Sequence, residues 1–270
     1  MKYLDYKGKS IRYQVKGQGR KALVLLHGYL ESLEVWSDFS DLLEAYYKVI
    51  SIDIPGHGKS EIVQSQHDMN LLADVVHRVI QSEGIDQFTL IGHSLGGYVT
   101  LAYLEHFPDN LEGVVLFHSH PFADSEQVKT NRQREIEFVN QGKKKVIINT
   151  NIPKAFANEN LERFKDSVEL VRQIALETPD EGIVANLKGM MNRPDRSHLV
   201  KNTSKPILLI AGLADNYINY EQVIPEVILP VNGQLVTLER SGHMGFIEEK
   251  EKALFALRTF LDYENRETLF

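Results

Sequence analysis

Six apolar runs dominate the chain and leave few folds open to it. They are Lys21-Ala22-Leu23-Val24-Leu25-Leu26, Tyr47-Lys48-Val49-Ile50-Ser51-Ile52-Asp53, Phe88-Thr89-Leu90-Ile91, Leu111 to Phe117, Pro206 to Gly212 and Gly233 to Leu238. Runs this short and this continuous suit strands buried on both faces. Between them apolar residues recur at helical spacing, as in Trp36, Phe39, Leu42, Leu43 and Tyr46. A second such set is Leu71, Leu72, Val75, Val76, Val79 and Ile80, with Asp68 as N-cap and Gly84 as stop. Strands alternating with helices require crossover connections, so the expected fold is α/β, a mostly parallel, doubly wound sheet covered on both sides. Residues 3–15 alternate charge with Tyr, Ile and Val about Lys7-Gly8-Lys9 and read as an exposed hairpin.

One long stretch breaks the alternation. From Pro121 to about Thr203 charges are dense, strand-like runs are scarce, and helical spacing recurs in Ile136 and Val139 and in Leu161, Phe164, Val168 and Val171. The expected organisation is therefore a core of residues 1–120 and 204–270 carrying a helical cap insertion at 121–203. The 270 residues are enough for one large domain with such an insertion. A net charge of −7 argues against a polyanion partner, and the one basic run, Lys143-Lys144-Lys145, is short. Nucleic acid and membrane are not expected partners, since no apolar run approaches a membrane span. Cysteine is absent, which removes disulfides, a thiolate nucleophile and Cys-ligated zinc from consideration. The N-terminus, Met1-Lys2-Tyr3-Leu4-Asp5-Tyr6-Lys7, lacks an apolar signal segment, so the expectation is a cytoplasmic protein.

In parallel sheets ligands sit beyond the carboxyl ends of the strands, and the polar motifs of this chain lie there. The third run enters Gly92-His93-Ser94-Leu95-Gly96, a G-x-S-x-G between strand and helix. In such an elbow the serine backbone is strained and its hydroxyl stands clear of the sheet, beside unpaired N–H groups of the new helix. Serine attacks only when a base takes its proton and a carboxylate orients that base. His243 follows the last strand in Ser241-Gly242-His243-Met244-Gly245, and Asp215 follows the preceding one in Ala211-Gly212-Leu213-Ala214-Asp215. Asp124 and Asp195 are weaker candidates for the acid because both fall in the insertion. Gly58-Lys59-Ser60 invites a phosphate-loop reading, but the position of the required first glycine is Asp53. His118-Ser119-His120 with Asp124 invites a metal reading. Alternation would send both imidazoles to one face, but no further clustered ligands support a metal, and the segment is expected to line the pocket below the cap.

The order Ser94, Asp215, His243 and four motifs together resemble the α/β-hydrolase fold superfamily, in its small serine esterase and lactonase-like branch. Besides the elbow, His27-Gly28-Tyr29 resembles its oxyanion loop, Asp53-Ile54-Pro55-Gly56-His57-Gly58-Lys59-Ser60 its D-x-P-G-x-G-x-S loop, and Ser241-Gly242-His243 its histidine loop. The resemblance implies Ser94 as nucleophile, His243 as general base then acid, Asp215 as orienting acid, and the backbone N–H groups of Tyr29 and Leu95 as oxyanion donors. His118, His120 and Phe122 are expected to line the substrate pocket, while His27 and His57 hold loop backbone. One departure from the family is that Asn216-Tyr217-Ile218-Asn219 lacks the proline often found after the acid. The implied reaction is cleavage of a small carboxylic ester, lactone or thioester through an acyl-enzyme, on a small-molecule acyl substrate and with neither cofactor nor metal. The alternatives are C–C bond hydrolysis, perhydrolysis or lyase chemistry on the same fold, or a ligand-binding receptor with little turnover. Serine rather than aspartate at the elbow excludes the dehalogenase and epoxide hydrolase branch.

Overall fold

In a computed structural model the described residues are 1–267, with side chains described through Asp262. The chain opens with a hairpin, β1 (Lys2–Tyr6) and β2 (Lys9–Lys16), whose turn places Lys7 and Gly8 at positive φ. Then follow β3 (Ala22–Leu26), α1 (Ser37–Leu43), β4 (Lys48–Ile52), α2 (Met69–Ser82), β5 (Phe88–His93), α3 (Leu95–His106) and β6 (Leu111–Phe117). Five helices come next, α4 (Glu126–Asn140), α5 (Lys144–Lys154), α6 (Lys165–Glu177), α7 (Asp180–Met191) and α8 (Ser197–Asn202). The core resumes with β7 (Ile207–Gly212), α9 (Tyr220–Val223), β8 (Gly233–Leu238), α10 (Gly245–Glu248) and α11 (Lys250–Glu267).

The eight strands form one sheet in the order β1-β2-β4-β3-β5-β6-β7-β8. β1, β2 and β4 pair antiparallel, and β4 through β8 pair parallel. β3, β5 and β7 are buried at every residue, which is why their sequences are nearly continuous apolar runs rather than alternating ones. α2 is amphipathic and turns Leu72, Val75, Val76, Val79 and Ile80 inward, whereas α3 is buried from Leu95 through Leu104. Burying each such aliphatic side chain contributes about 1.5–3 kcal/mol relative to leaving it exposed. The hairpin is less exposed than its alternation suggested. Tyr6, Ile11 and Tyr13 are buried because β2 packs edge-on against β4.

Helices α4–α8 lie between β6 and β7 in the chain, and no strand occurs among them. They are tied to the core through polar contacts at several points. Arg196 bonds Glu105 and Asn70, the Asn186 amide donates to Pro55 O, and Ala157 N–H and the Asn160 amide donate to Glu248. Among the described residues no helix is long and apolar enough to cross a membrane.

Candidate active site

The turn after β5 is built by close backbone approach. A Cβ on Gly96 would collide with Leu26 O, so glycine is required where α3 starts against β3. Ser94 sits at φ 49°, ψ −111°, a left-handed conformation that costs a non-glycine residue about 1–3 kcal/mol. Its own backbone is held: Ser94 N–H donates to Phe117 O at 3.0 Å, and Ser119 Oγ donates to Ser94 O at 2.9 Å. The side chain stays half-buried at the end of the sheet.

Asp215 and His243, 28 residues apart, meet beyond β7 and β8, with His243 Nδ1 2.7 Å from Asp215 Oδ2. Three donors hydrogen-bond the Asp215 carboxylate, and a fourth nitrogen stands near it. Oδ1 accepts from Tyr217 N–H at 2.8 Å and Ile218 N–H at 3.0 Å, and Oδ2 faces His243 and, at 3.3 Å, His118 Nδ1. Burial opposes ionisation of Asp215, but His243 and His118 outweigh it and hold the carboxyl well below its ordinary range. For His243 burial likewise disfavours the charged form, and Asp215 overcomes it, leaving the imidazole above its ordinary value. At position 217 or 218 a proline would delete an N–H that holds the carboxylate. No hydrogen bond joins Ser94 Oγ to His243 among the described residues; in a free enzyme such contacts are commonly long and tighten around substrate.

The loop after β3 is pinned on both sides of one free donor. Gly28 N–H donates to Glu31 Oε2 at 2.6 Å and Leu30 N–H to His57 Nε2 at 3.2 Å, with Leu30 at φ 62°. Tyr29 N–H between them has no intramolecular acceptor among the described residues, and neither does Leu95 N–H at the start of α3. His27 accepts from Ile54 N–H at 2.9 Å and bonds Gly28 O at 2.7 Å, so it fastens this loop to the Pro-Gly loop. Burial holds both His27 and His57 below the ordinary imidazole value. The Asp53 carboxylate is a structural hub rather than part of a phosphate cradle, bonding Arg12 Nε at 2.5 Å and the N–H groups of Leu33 and Lys59 at 2.8 Å.

The expectation for His118 is corrected. It does not line a pocket: it is 1% exposed and packs behind His243, ring centroids 5.7 Å apart. Its Nε2 accepts from Gly245 N–H at 3.2 Å, which places the proton on Nδ1, facing Asp215. β6 ends at Phe117 and His118 takes φ 46°, so strand alternation no longer governs the next residues. His120 therefore points elsewhere. Its Nδ1 accepts from Phe122 N–H, its Nε2 lies 3.4 Å from Tyr98 Oη, and its ring stacks on half-buried Phe122. Asp124 is taken up by Arg132 at 2.7 Å and Arg193 at 2.5 Å, away from both imidazoles. The ligand atoms of His118, Asp215 and His243 do lie within 4.8 Å of one another. Of their nitrogens, His243 Nδ1 bonds the carboxylate and His118 Nε2 accepts from Gly245 N–H.

Three acids near this site escaped the sequence reading. Glu248 braces the His243 loop, Oε1 accepting from Gly242 N–H at 2.9 Å and Met244 N–H at 3.2 Å. Glu31 lies 3.0 Å from His93 Nδ1. Glu135 of α4 reaches the Tyr29 hydroxyl at 3.4 Å and accepts from the Asn151 amide at 3.2 Å. Each also meets a partner far along the chain, His93 for Glu31, Tyr29 for Glu135 and Ala157 for Glu248, which no local spacing announces.

A sequence model described as the alpha/beta hydrolase fold matches residues 21–134. A thermophilic esterase from Thermogutta terrifontis, solved with malate bound, superposes with a TM-score of 0.89 at 27% identity, over 95% of this chain and 94% of that one. The chain belongs to the α/β-hydrolase superfamily. Among curated relatives of this α/β-hydrolase, the 2-hydroxy-6-oxononadienedioate/2-hydroxy-6-oxononatrienedioate hydrolase of Paraburkholderia phymatum is 26% identical over 265 residues, 93% of this chain and 90% of the relative. The enol-lactonase from Burkholderia xenovorans LB400 shares the fold, with a TM-score of 0.86 at 20% identity over 97% and 100% of the two chains.

Proposed function

We propose that this α/β-hydrolase is a serine hydrolase that cleaves a small carboxylic ester, lactone or thioester through an acyl-enzyme. In this reading Ser94 attacks the acyl carbonyl while His243 takes its proton, and Asp215 steadies the imidazolium. The developing oxyanion is held by the N–H groups of Tyr29 and Leu95; such a donor is worth about 3 kcal/mol in the transition state. His243 then returns the proton to the leaving group and activates water to release the acid. The observation that carries the proposal is the 2.7 Å contact between His243 and an Asp215 whose other oxygen is held by two backbone N–H groups. A strained Ser94 and two N–H groups without acceptors stand on the neighbouring loops.

A second reading, C–C bond hydrolysis, is favoured by the relatives named for 2-hydroxy-6-oxononadienedioate at 26% and 27% identity. A compound of that name has no ester to cut, so its hydrolysis must break carbon–carbon bonding beside the ketone. The same oxyanion donors and base serve either attack. A fluorophosphonate probe and a panel of p-nitrophenyl esters, lactones and vinylogous diketo acids separate the readings. Ser94→Ala is expected to abolish labelling and turnover together. Labelling retained at another serine removes Ser94 from the proposal, and tight binding without turnover of any panel member favours a receptor.

A further inference from the structure

His93 fills the free position of the elbow, is fully buried, and both of its ring nitrogens face acceptors. Nε2 lies 2.8 Å from the carbonyl oxygen of His243, which can only accept, so Nε2 carries a proton. Nδ1 lies 3.0 Å from Glu31 Oε2. That oxygen also accepts Gly28 N–H at 2.6 Å. With Nε2 protonated, the contact between Nδ1 and Oε2 holds one further proton, and on Nδ1, where the Gly28 N–H already at Oε2 favours it, that proton makes the ring an imidazolium paired with a buried carboxylate.

We infer that Glu31 and His93 form a buried ion pair that acts as positioning residues, coupling the Tyr29 oxyanion loop, the Ser94 elbow and the His243 loop into one rigid unit. This deepens the serine-hydrolase reading of the same site and rests on it. Glu31 grips the peptide of Gly28 immediately before Tyr29, and His93 grips the main chain of His243 itself. The elbow serine is the next residue along the chain. The pair closes over a glycine made necessary by it, since a Cβ on Gly28 would meet His93 Nδ1 at 2.7 Å and Glu31 Oε1 at 2.9 Å. Trp36 and Phe246 pack edge-on against the imidazole at 6.3 and 5.0 Å and fix its plane. The other titratable groups facing the pair are His27 beside Glu31, and His243 and His118 at ring distances of 4.9 and 6.1 Å from His93.

The test combines nitrogen-15 NMR of the histidine rings with kinetics on Glu31→Gln and Glu31→Leu. In the wild-type protein at neutral pH, one ring is expected to carry protons on both nitrogens. Those signals are to be assigned by their loss in His93→Gln. In Glu31→Gln the amide oxygen cannot neutralise an imidazolium, so one ring N–H signal is expected to vanish. Loosening the three loops is expected to lower kcat on p-nitrophenyl esters about 10–100-fold while KM changes less than about threefold, with fluorophosphonate labelling slowing in parallel. A brace that served folding alone would lower Tm and leave kcat of the folded variant intact. A single ring N–H on wild-type His93, or a folded Glu31→Gln with wild-type kcat, overturns the inference. If the wild-type protein does not label at Ser94, the serine-hydrolase reading fails instead, and the ring signals still decide whether the ion pair exists.

Discussion

Replacing Asp215 by asparagine tests how much of the chemistry rests on one charge. As Ser94 loses its proton, His243 becomes cationic beside a carboxylate whose oxygen stands 2.7 Å from Nδ1. With charge centres about 4 Å apart and an effective dielectric of about 20, their attraction is about 4 kcal/mol, or about a thousandfold in rate. The amide makes matters worse for a geometric reason. One oxygen of the carboxylate receives two backbone N–H groups and the other receives His243 Nδ1, so a single amide oxygen can satisfy only one side. If it turns to the backbone, the NH2 group faces Nδ1 and forces the His243 proton onto Nε2, where the base must be empty. The expected loss in kcat/KM on p-nitrophenyl acetate is therefore at least about a thousandfold. The pH profile should move as well. Asp215 favours the imidazolium and holds His243 above its ordinary value, so wild-type kcat/KM is expected to fall as pH drops through a point above about 6.5. In Asp215→Asn that limb shifts to lower pH. A folded Asp215→Asn, checked by circular dichroism, that keeps kcat/KM within tenfold of wild type with an unmoved acid limb would refute the reasoning.

The other expectations can be read from the same kinetics and from thermal melts. His118→Leu removes the donor facing Asp215 Oδ2 and leaves Gly245 N–H without its acceptor; kcat is expected to fall about tenfold and the acid limb to rise, with His118→Asn restoring part of both. Tyr29→Phe keeps the N–H and deletes only the 3.4 Å contact to Glu135, so it should lower kcat less than about threefold. A larger loss would mean that the phenol itself meets substrate. Burial holds His67 and His118 at about 4 and His120 at about 3, so all three are folded as neutral rings. Their folded values lie below the unfolded one, so the stability they contribute is present above about pH 6.5 and is lost as pH falls towards 4. Tm should drop through that window, and His67→Gln should flatten part of the drop; a Tm independent of pH from 7 to 4 counts against it.

The sheet and the elbow were legible because their signals are local. A strand buried on both faces must be apolar throughout, and a strand turning sharply into a helix leaves glycines at fixed offsets around its serine, as at Gly92 and Gly96. Asp215 and His243 were legible because a parallel sheet delivers the ends of β7 and β8 to the same edge as β5. His118 was misread because alternation holds only while a strand continues, and β6 stops one residue earlier, at Phe117. The residues that surround Ser94, Asp215 and His243 left no trace of this kind. His93 looks like a spacer inside its motif, and its partners lie 62 and 150 residues away. Glu248 reads as an ordinary helix acid until the fold brings Ala157 and Asn160 to it across 91 and 88 residues. The asymmetry is physical. Chemistry that acts on substrate needs particular side chains at chain positions set by strand ends, whereas the scaffold that holds those side chains still needs only a donor or acceptor that the tertiary fold carries into place. In this α/β-hydrolase the second group includes two histidines, one holding the carbonyl of His243 and the other facing Asp215, so the His243 imidazole is fixed from both its ring and its main chain.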